Sequence, residues 1–281
     1  MMEIDSVERH LFLEGIFLRY GYDFRQYAEA SLNRRLAGLL GHYQKKNLLE
    51  LLPMVLSSPG VFKEVLPTLT VGTSEFFRDP MFFKSLKELI FPVLETYPSL
   101  NIWVAGCSTG EEVMSLAVLL KEAGLLRRST IYATDINPLS LKQAREGIYD
   151  VNELKHFARN YTQSGGTETP TQYFTVEYGL ARFHQDLREN VVFSDHNLVT
   201  DSVFCEAHLI LCRNVLIYFS RDLQNRVFDL FTKSLASRCF LGIGSKESLR
   251  FSDAFANYEE ASARQNIYRL RAPAVVTRRG P

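Results

Sequence analysis

The chain is poor in cysteine, carries no excess of either charge and has no long apolar run, and each lack removes a class of protein. Its four cysteines, Cys107, Cys205, Cys212 and Cys239, form no C-x-x-C pair, and three lie in apolar, strand-like runs where a free thiol behaves as a small hydrophobe. That usage excludes a disulfide framework and fits a reducing cytoplasm. Lys+Arg and Asp+Glu are equal at 32 each, so no global field draws the chain to nucleic acid or to an anionic membrane, and only a local basic patch stays open. No stretch approaches the ~20 apolar residues of a membrane helix. The opening MMEIDSVERH has charges where a signal peptide has its apolar region. The six histidines have no ligand spacing and fall in no chemical motif, so no metal site is expected. What remains is a cytoplasmic protein of 281 residues, 46% hydrophobic, enough for one large domain or a large domain with a smaller companion.

Residues 1–70 read as entirely helical, with no strand signal. Phe24, Ala28, Leu32, Leu36, Leu39 and Tyr43 recur at three- and four-residue spacing, the apolar stripe of one helix. Arg34 and Lys45, eleven residues apart, are expected to align on its opposite side, and 48–67 to form another short helix punctuated by Pro53 and Pro59. From residue 100 the texture changes. Apolar runs NIWVAG, TIYATDI, LILCRN and CFLGIG alternate with helical segments 111–123, 138–146 and 221–236, which predicts a parallel sheet covered on both faces. Residues 150–190 interrupt the alternation with a polar tract, TQSGGTETPTQ, and the alternating YFTVEYGLARF. They are expected to form a small antiparallel insertion carrying a flexible loop.

The stretch VAGCSTGE lies where a strand turns into a helix. In an open α/β sheet, ligands bind beyond the carboxyl ends of the strands where chain order reverses. Gly106 and Gly110 allow a tight turn and a close ligand, and Thr109 is a candidate N-cap for the helix beginning near Glu111. Asp135 ends the next strand, the usual place for an acid that binds ribose hydroxyls. The plainer reading is a strand-to-helix turn in which Glu111 complements the helix dipole. A dinucleotide site wants G-x-G-x-x-G, with helix amides on a pyrophosphate. Here Glu111 and Glu112 would repel phosphate, and an acid-lined mouth suits a cationic ligand without phosphate, such as S-adenosylmethionine.

Three further stretches stand out. In LILCRNVLIYF, Arg213 and Asn214 follow a strand and Tyr218 comes four residues later, where the alternative is ordinary core. No Asn/Asp-Pro-Pro-Tyr motif stands there, as a methyltransferase acting on flipped bases would want. TVGTSEFFRDP sets Ser74 and Arg78 between the helical third and the α/β part, where an arginine is more often a surface ion pair. Asn197 and Leu198, in FSDHNL, look like an ordinary strand exit.

Together, TSEFFRDP, AGCSTGEE, ATDI followed by GIY at 147–149, HNL and CRNVLIYF resemble the CheR family of chemotaxis methyltransferases in order and spacing, over about residues 10–270. The resemblance implies an α/β fold with a Rossmann-like methyltransferase sheet, an N-terminal all-helical domain over 1–70, and a methyltransferase domain over 71–281 carrying a small inserted antiparallel β-subdomain. It implies methyl transfer from S-adenosylmethionine to glutamate carboxylates of a chemoreceptor, leaving S-adenosylhomocysteine. Cofactor contacts would fall on Ser74, Arg78, Gly106, Glu111, Asp135, Asn197, Leu198, Arg213 and Asn214, with Arg78 and Tyr218 nearest the methyl group. Gly72 stands where the family often has Asn, removing one hydrogen bond to the cofactor. Ser74 replaces a common Thr, and Val113-Met114 replace a common Pro-Tyr.

A glutamate with reference pKa about 4.3 is already ionised at neutral pH. No general base is needed, and placement is the enzyme's task. Arg78 suits it, since a guanidinium fork can hold a carboxylate bidentately. Between residues 25 and 46, five basic residues (Arg25, Arg34, Arg35, Lys45, Lys46) face one acid, Glu29, so Arg34 and Lys45 either meet the cytoplasmic helices of a receptor or form a solvated face. The β-subdomain is a second candidate contact. Other readings are methylation of a signalling receptor outside chemotaxis, an adaptor that binds cofactor without catalysis and, last, a nucleic-acid methyltransferase.

Overall fold

The computed structural model describes residues 4–72 and 74–272; the first three residues, Thr73 of TSEFFRDP and the end of the tail RAPAVVTRRGP lie outside them. The chain opens with four helices. In α1 (Ser6–Tyr20), Asp5 caps the start by accepting from the amides of Val7 and Glu8, and Gly21 closes the end in the left-handed region. The expected stripe is shorter than the spacing suggested. Leu32, Leu36 and Leu39 are buried on α2 (Glu29–His42), but Phe24 precedes the helix, Ala28 and Tyr43 flank its two ends, and Gln44 turns left-handed. Lys45 therefore lies beyond the helix and shares no face with exposed Arg34. The segment expected as one helix is two, α3 (Leu48–Ser57) and α4 (Pro59–Leu69), because Ser58 caps and Pro59 occupies the first helical position, where its missing N–H costs nothing. Phe12, Ile16, Leu36, Leu51 and Val65 close the core of this bundle.

Short helices α5 (Pro80–Ser85) and α6 (Phe91–Leu94), joined by a π-helical turn, lead into the sheet. Its strands are β1 (Leu100–Ala105), β2 (Ser129–Asp135), β6 (Val191–Asp195), β7 (Ala207–Cys212), β8 (Leu235–Ile243), β9 (Tyr258–Ser262) and β10 (Ile267–Leu270), in the order β6-β2-β1-β7-β8-β10-β9. The first five are parallel, as expected. The last two are not: β9 and β10 pair antiparallel across a link too short for a crossover, and β10 pairs antiparallel with β8. Alternate residues of β1 and β7 feed separate cores. Ile102, Val104, Leu209 and Leu211 pack toward α7 (Glu111–Glu122) and α8 (Pro138–Glu146), whereas Trp103, Ala105, Ile210 and Cys212 pack toward α11 (Arg221–Ser234).

Between α8 and β6 lies the insertion, an antiparallel sheet ordered β3-β5-β4 from Ile148–Asp150, Leu180–Phe183 and Phe174–Glu177, with helices α9 (Phe157–Gln163) and α10 (Gln185–Arg188). The polar tract expected as a flexible loop is tied down. Ser164 is buried, Lys87 Nζ donates to the Gly165 carbonyl at 2.5 Å and pairs with Glu122 at 3.1 Å, and the Glu168 amide donates to the Tyr161 hydroxyl at 2.8 Å. The helical third also has one strand-like contact, a β-bridge from Tyr27 to Phe219, flanked by amide bonds from Ala28 to the Tyr218 carbonyl (2.7 Å) and from Ser220 to the Gln26 carbonyl (2.8 Å).

Candidate active site

Strand order reverses between β1 and β7, and a crevice opens there at the strands' carboxyl ends, enclosing about 900 Å³ of non-protein space, part of it open to solvent. Its floor is backbone. The amides of Gly106 and Cys107 both donate to the Thr134 carbonyl, which folds the β1 exit across the end of β2. Gly106 has φ +76°, and a Cβ there would sit 2.4 Å from Val215 Cγ2, so the position combines a left-handed turn with close approach of another segment. Asp135 accepts from the Ser108 amide on one oxygen and the Asn137 amide on the other, both at 2.8 Å. Burial pushes its carboxyl above the ordinary value, with the amide donors acting against that. The Ser108 hydroxyl beside it is buried without a partner among the described residues. Asn197 turns the β6 exit by accepting from the Val199 amide at 3.0 Å, and with Leu198 it lines the opposite side.

The acids at the start of α7 behave differently from the expectation. Gly110, not Thr109, is the N-cap residue; the Thr109 hydroxyl instead donates to the Glu111 carboxylate at 2.7 Å. Glu111 is buried behind the crevice wall rather than lining it, and burial pushes its carboxyl up. The acid that reaches the crevice is Glu112, and Arg213 pairs with it at 2.6 Å. The mouth is also not acid-lined as a whole, because Arg35, Arg78 and Arg213 line it along with Glu112 and Asp135.

Arg213 directs both outer nitrogens at protein acceptors. Nη1 binds Glu112, Nη2 binds the Arg78 carbonyl at 2.8 Å and Asp79 at 2.9 Å, and the guanidinium lies 4.2 Å from the Phe82 ring centroid. It thus clamps the loop that carries Arg78. Arg78 itself lines the crevice and forms no ion pair with a described residue. Ser74, Asn214 and Tyr218 line the same space, so of the proposed contacts all but Glu111 converge there.

Several lining residues carried no signal that singled them out. Arg35 is buried on α2, donates to the Leu69 carbonyl, the Ser31 carbonyl (3.1 Å) and the Ser31 hydroxyl (3.3 Å), and lies 5.4 Å from the Tyr218 ring centroid without a carboxylate partner among the described residues. Burial lowers its pKa. Reading it only as part of a basic helix hid it, since the fold that brings 35 to 218 is not a local pattern. His196 also lines the crevice, contrary to the expectation that no histidine falls in a motif; it stands in the HNL run, with its ring against Trp103 and Nδ1 buried without a partner among the described residues.

Residues 72–264 match the S-adenosylmethionine-binding domain of the CheR methyltransferases, and residues 8–70 match the all-alpha domain of the same family. The chain belongs to the CheR methyltransferase family. Cher3 of Pseudomonas putida, whose name assigns it provisionally to the methyltransferases, is 47% identical over 264 residues, 94% of this chain and 97% of that protein. A chemotaxis protein methyltransferase of Listeria monocytogenes is 28% identical over 82% of this chain and 85% of its own length, and chemotaxis protein methyltransferase 1 of Vibrio cholerae is 30% identical over 81% and 82%. As a CheR-family chain it is an S-adenosylmethionine-dependent methyltransferase, and the crevice fits that cofactor. Asp135 retains acceptor capacity for a diol, the Ser108 hydroxyl lacks a partner among the described residues, and the first turn of α7 is filled by the protein's own carboxylates, which disfavours phosphate. No helix among the described residues is long and apolar enough to cross a membrane.

Proposed function

We propose that the chain methylates glutamate side chains on the cytoplasmic helices of a chemoreceptor, giving methyl esters, and that it works in the cytoplasm with a helical domain to about residue 70 and a methyltransferase domain beyond. The observation that carries this is Arg78: a guanidinium on the crevice wall with no carboxylate partner among the described residues, on a loop clamped by Arg213, lining the same space as Asp135. When bound, S-adenosylmethionine supplies a methyl carbon activated by its sulfonium. Asp135 would accept from the ribose hydroxyls, Ser74, Asn197, Leu198 and Asn214 would flank the cofactor, and the Gly106 turn would let backbone approach it. Arg78 and Tyr218 would orient the acceptor carboxylate toward that methyl carbon, which a carboxylate oxygen would take from the sulfur, the sulfur keeping the bonding pair. The acceptor is ionised near neutral pH, so no side chain has to take a proton.

Receptor contact falls to exposed Arg34 on α2 and to the β-subdomain, whose β4 is an edge strand with Val176 exposed and Tyr178 exposed in the adjoining turn. Lys45, in the turn after α2, belongs to the same basic region without sharing the helix face. Incubation with tritiated methyl donor should label receptor cytoplasmic fragments and leave nucleic acid unlabelled. Label on nucleic acid, or binding of the donor without transfer to any receptor, contradicts the proposal.

A further inference from the structure

Glu247 stands outside every motif above, yet its carboxylate is buried among backbone amides. It follows β8 in a turn closed by its own amide on the Gly244 carbonyl at 3.0 Å. One carboxylate oxygen accepts from the amides of Gly244 (2.5 Å) and Asn214 (3.1 Å), and the other from Ile217 (3.3 Å). No cation pairs with it among the described residues. Asn266 fixes the turn from the far side, donating through Nδ2 to the carbonyls of Gly244 and Glu247, both at 3.0 Å. The register explains the meeting across 33 residues: β7 and β8 run parallel with Cys212 opposite Ile243, so their exits emerge side by side.

The amides that Glu247 holds belong to the segment that bears Asn214 and Tyr218. Asn214 is left-handed, with φ +61°, and Leu216–Tyr218 is a single 3-10 turn, a conformation that leaves inward amides unmatched. Gly244 keeps the path open, because a Cβ there would lie 2.7 Å from the Glu247 carboxylate and 2.9 Å from the Asn214 nitrogen. We infer that Glu247 is a positioning residue for methyl transfer, its carboxylate fixing the Asn214–Tyr218 turn from behind so that both side chains face the crevice. This rests on the reading of Asn214 as a cofactor contact and Tyr218 as an acceptor-side contact.

The two oxygens make the test directional. In Glu247→Gln the amide oxygen can still serve Gly244 and Asn214, but the amide nitrogen meets the Ile217 N–H donor to donor; Glu247→Ala loses both sides. With S-adenosylhomocysteine as the calorimetric ligand, Glu247→Ala should weaken binding about tenfold, on the scale of a charge-assisted hydrogen bond. Glu247→Gln should weaken it less than threefold, yet both should speed amide exchange in 213–219 while β1 and β7 stay protected. Affinity within twofold of the parent in both variants, or exchange quickened uniformly along the chain, overturns the inference. If Glu247→Ala does not fold, the exchange pattern of Glu247→Gln decides alone. Asn214→Ala and Asp135→Ala run beside them: if neither weakens S-adenosylhomocysteine binding, the site reading fails, and if they do while the Glu247 variants do not, only this inference fails.

Discussion

The floor of the crevice and its wall are built by different means. The floor is the row of strand exits at Gly106, Asp135 and Asn197, fixed by parallel register and short backbone hydrogen bonds. The wall joins pieces far apart in sequence: Arg35 from α2, Arg78 from the loop before α5, and Tyr218 from the turn after β7, held by the clamp at Arg213 and the bridge between Tyr27 and Phe219. Floor geometry follows from the sheet, and wall geometry depends on tertiary contacts. Under the proposed function the floor serves the cofactor and the wall residues Arg78 and Tyr218 serve the acceptor, so damage to the two should separate into affinity and turnover.

The largest separation is expected from Arg78→Ala. Transfer should fall on the order of 100-fold, the scale of lost placement, with S-adenosylhomocysteine affinity nearly unchanged by calorimetry. Equal loss of both would move Arg78 to the floor. Asp135→Ala should do the reverse, weakening S-adenosylhomocysteine by about 10- to 100-fold through loss of charge-assisted hydrogen bonds. Its pH dependence has a defined sign. Burial raises the Asp135 carboxyl, and only the ionised form accepts from both hydroxyls, so affinity should fall on acidification at a pH above the ordinary aspartate range. The Asp135→Ala variant should lack that step.

Arg35→Lys keeps the charge and loses the fork that reaches both Leu69 and Ser31. It should slow transfer roughly tenfold, about one charged hydrogen bond, with cofactor affinity held; a loss confined to affinity would place Arg35 with the floor. The smallest effect is expected at Gly72, where a Cβ would meet the hydroxyls of Ser108 and Ser140 at ordinary contact distances of 3.6 and 3.7 Å. Gly72→Asn should tighten cofactor binding by about two- to tenfold, the worth of one neutral hydrogen bond, and leave turnover alone.

The same division governed what the sequence could tell. The turn at Gly106 and the strand end at Asp135 were legible because strand, turn and helix follow one another locally. Arg213 was found but its partners were not, since Glu112 and Asp79 lie 101 and 134 residues away. Glu111 and Glu112 look alike as acids at a helix start, but the turn sends one inward to Thr109 and the other to an arginine. The spacing that aligns Lys45 with Arg34 does not reveal that Gln44 turns left-handed after the helix ends. Arg35, which lines the crevice, and Glu247, which sits behind its wall, were invisible because a position set by tertiary contact has no periodicity to betray it.

A structure of the protein with S-adenosylhomocysteine would show where the cofactor lies. Ribose hydroxyls are expected on the Asp135 carboxylate, with the sulfur turned toward the space between Arg78 and Tyr218. Density for the ligand away from Asp135, or a sulfur facing neither wall residue, would contradict that placement.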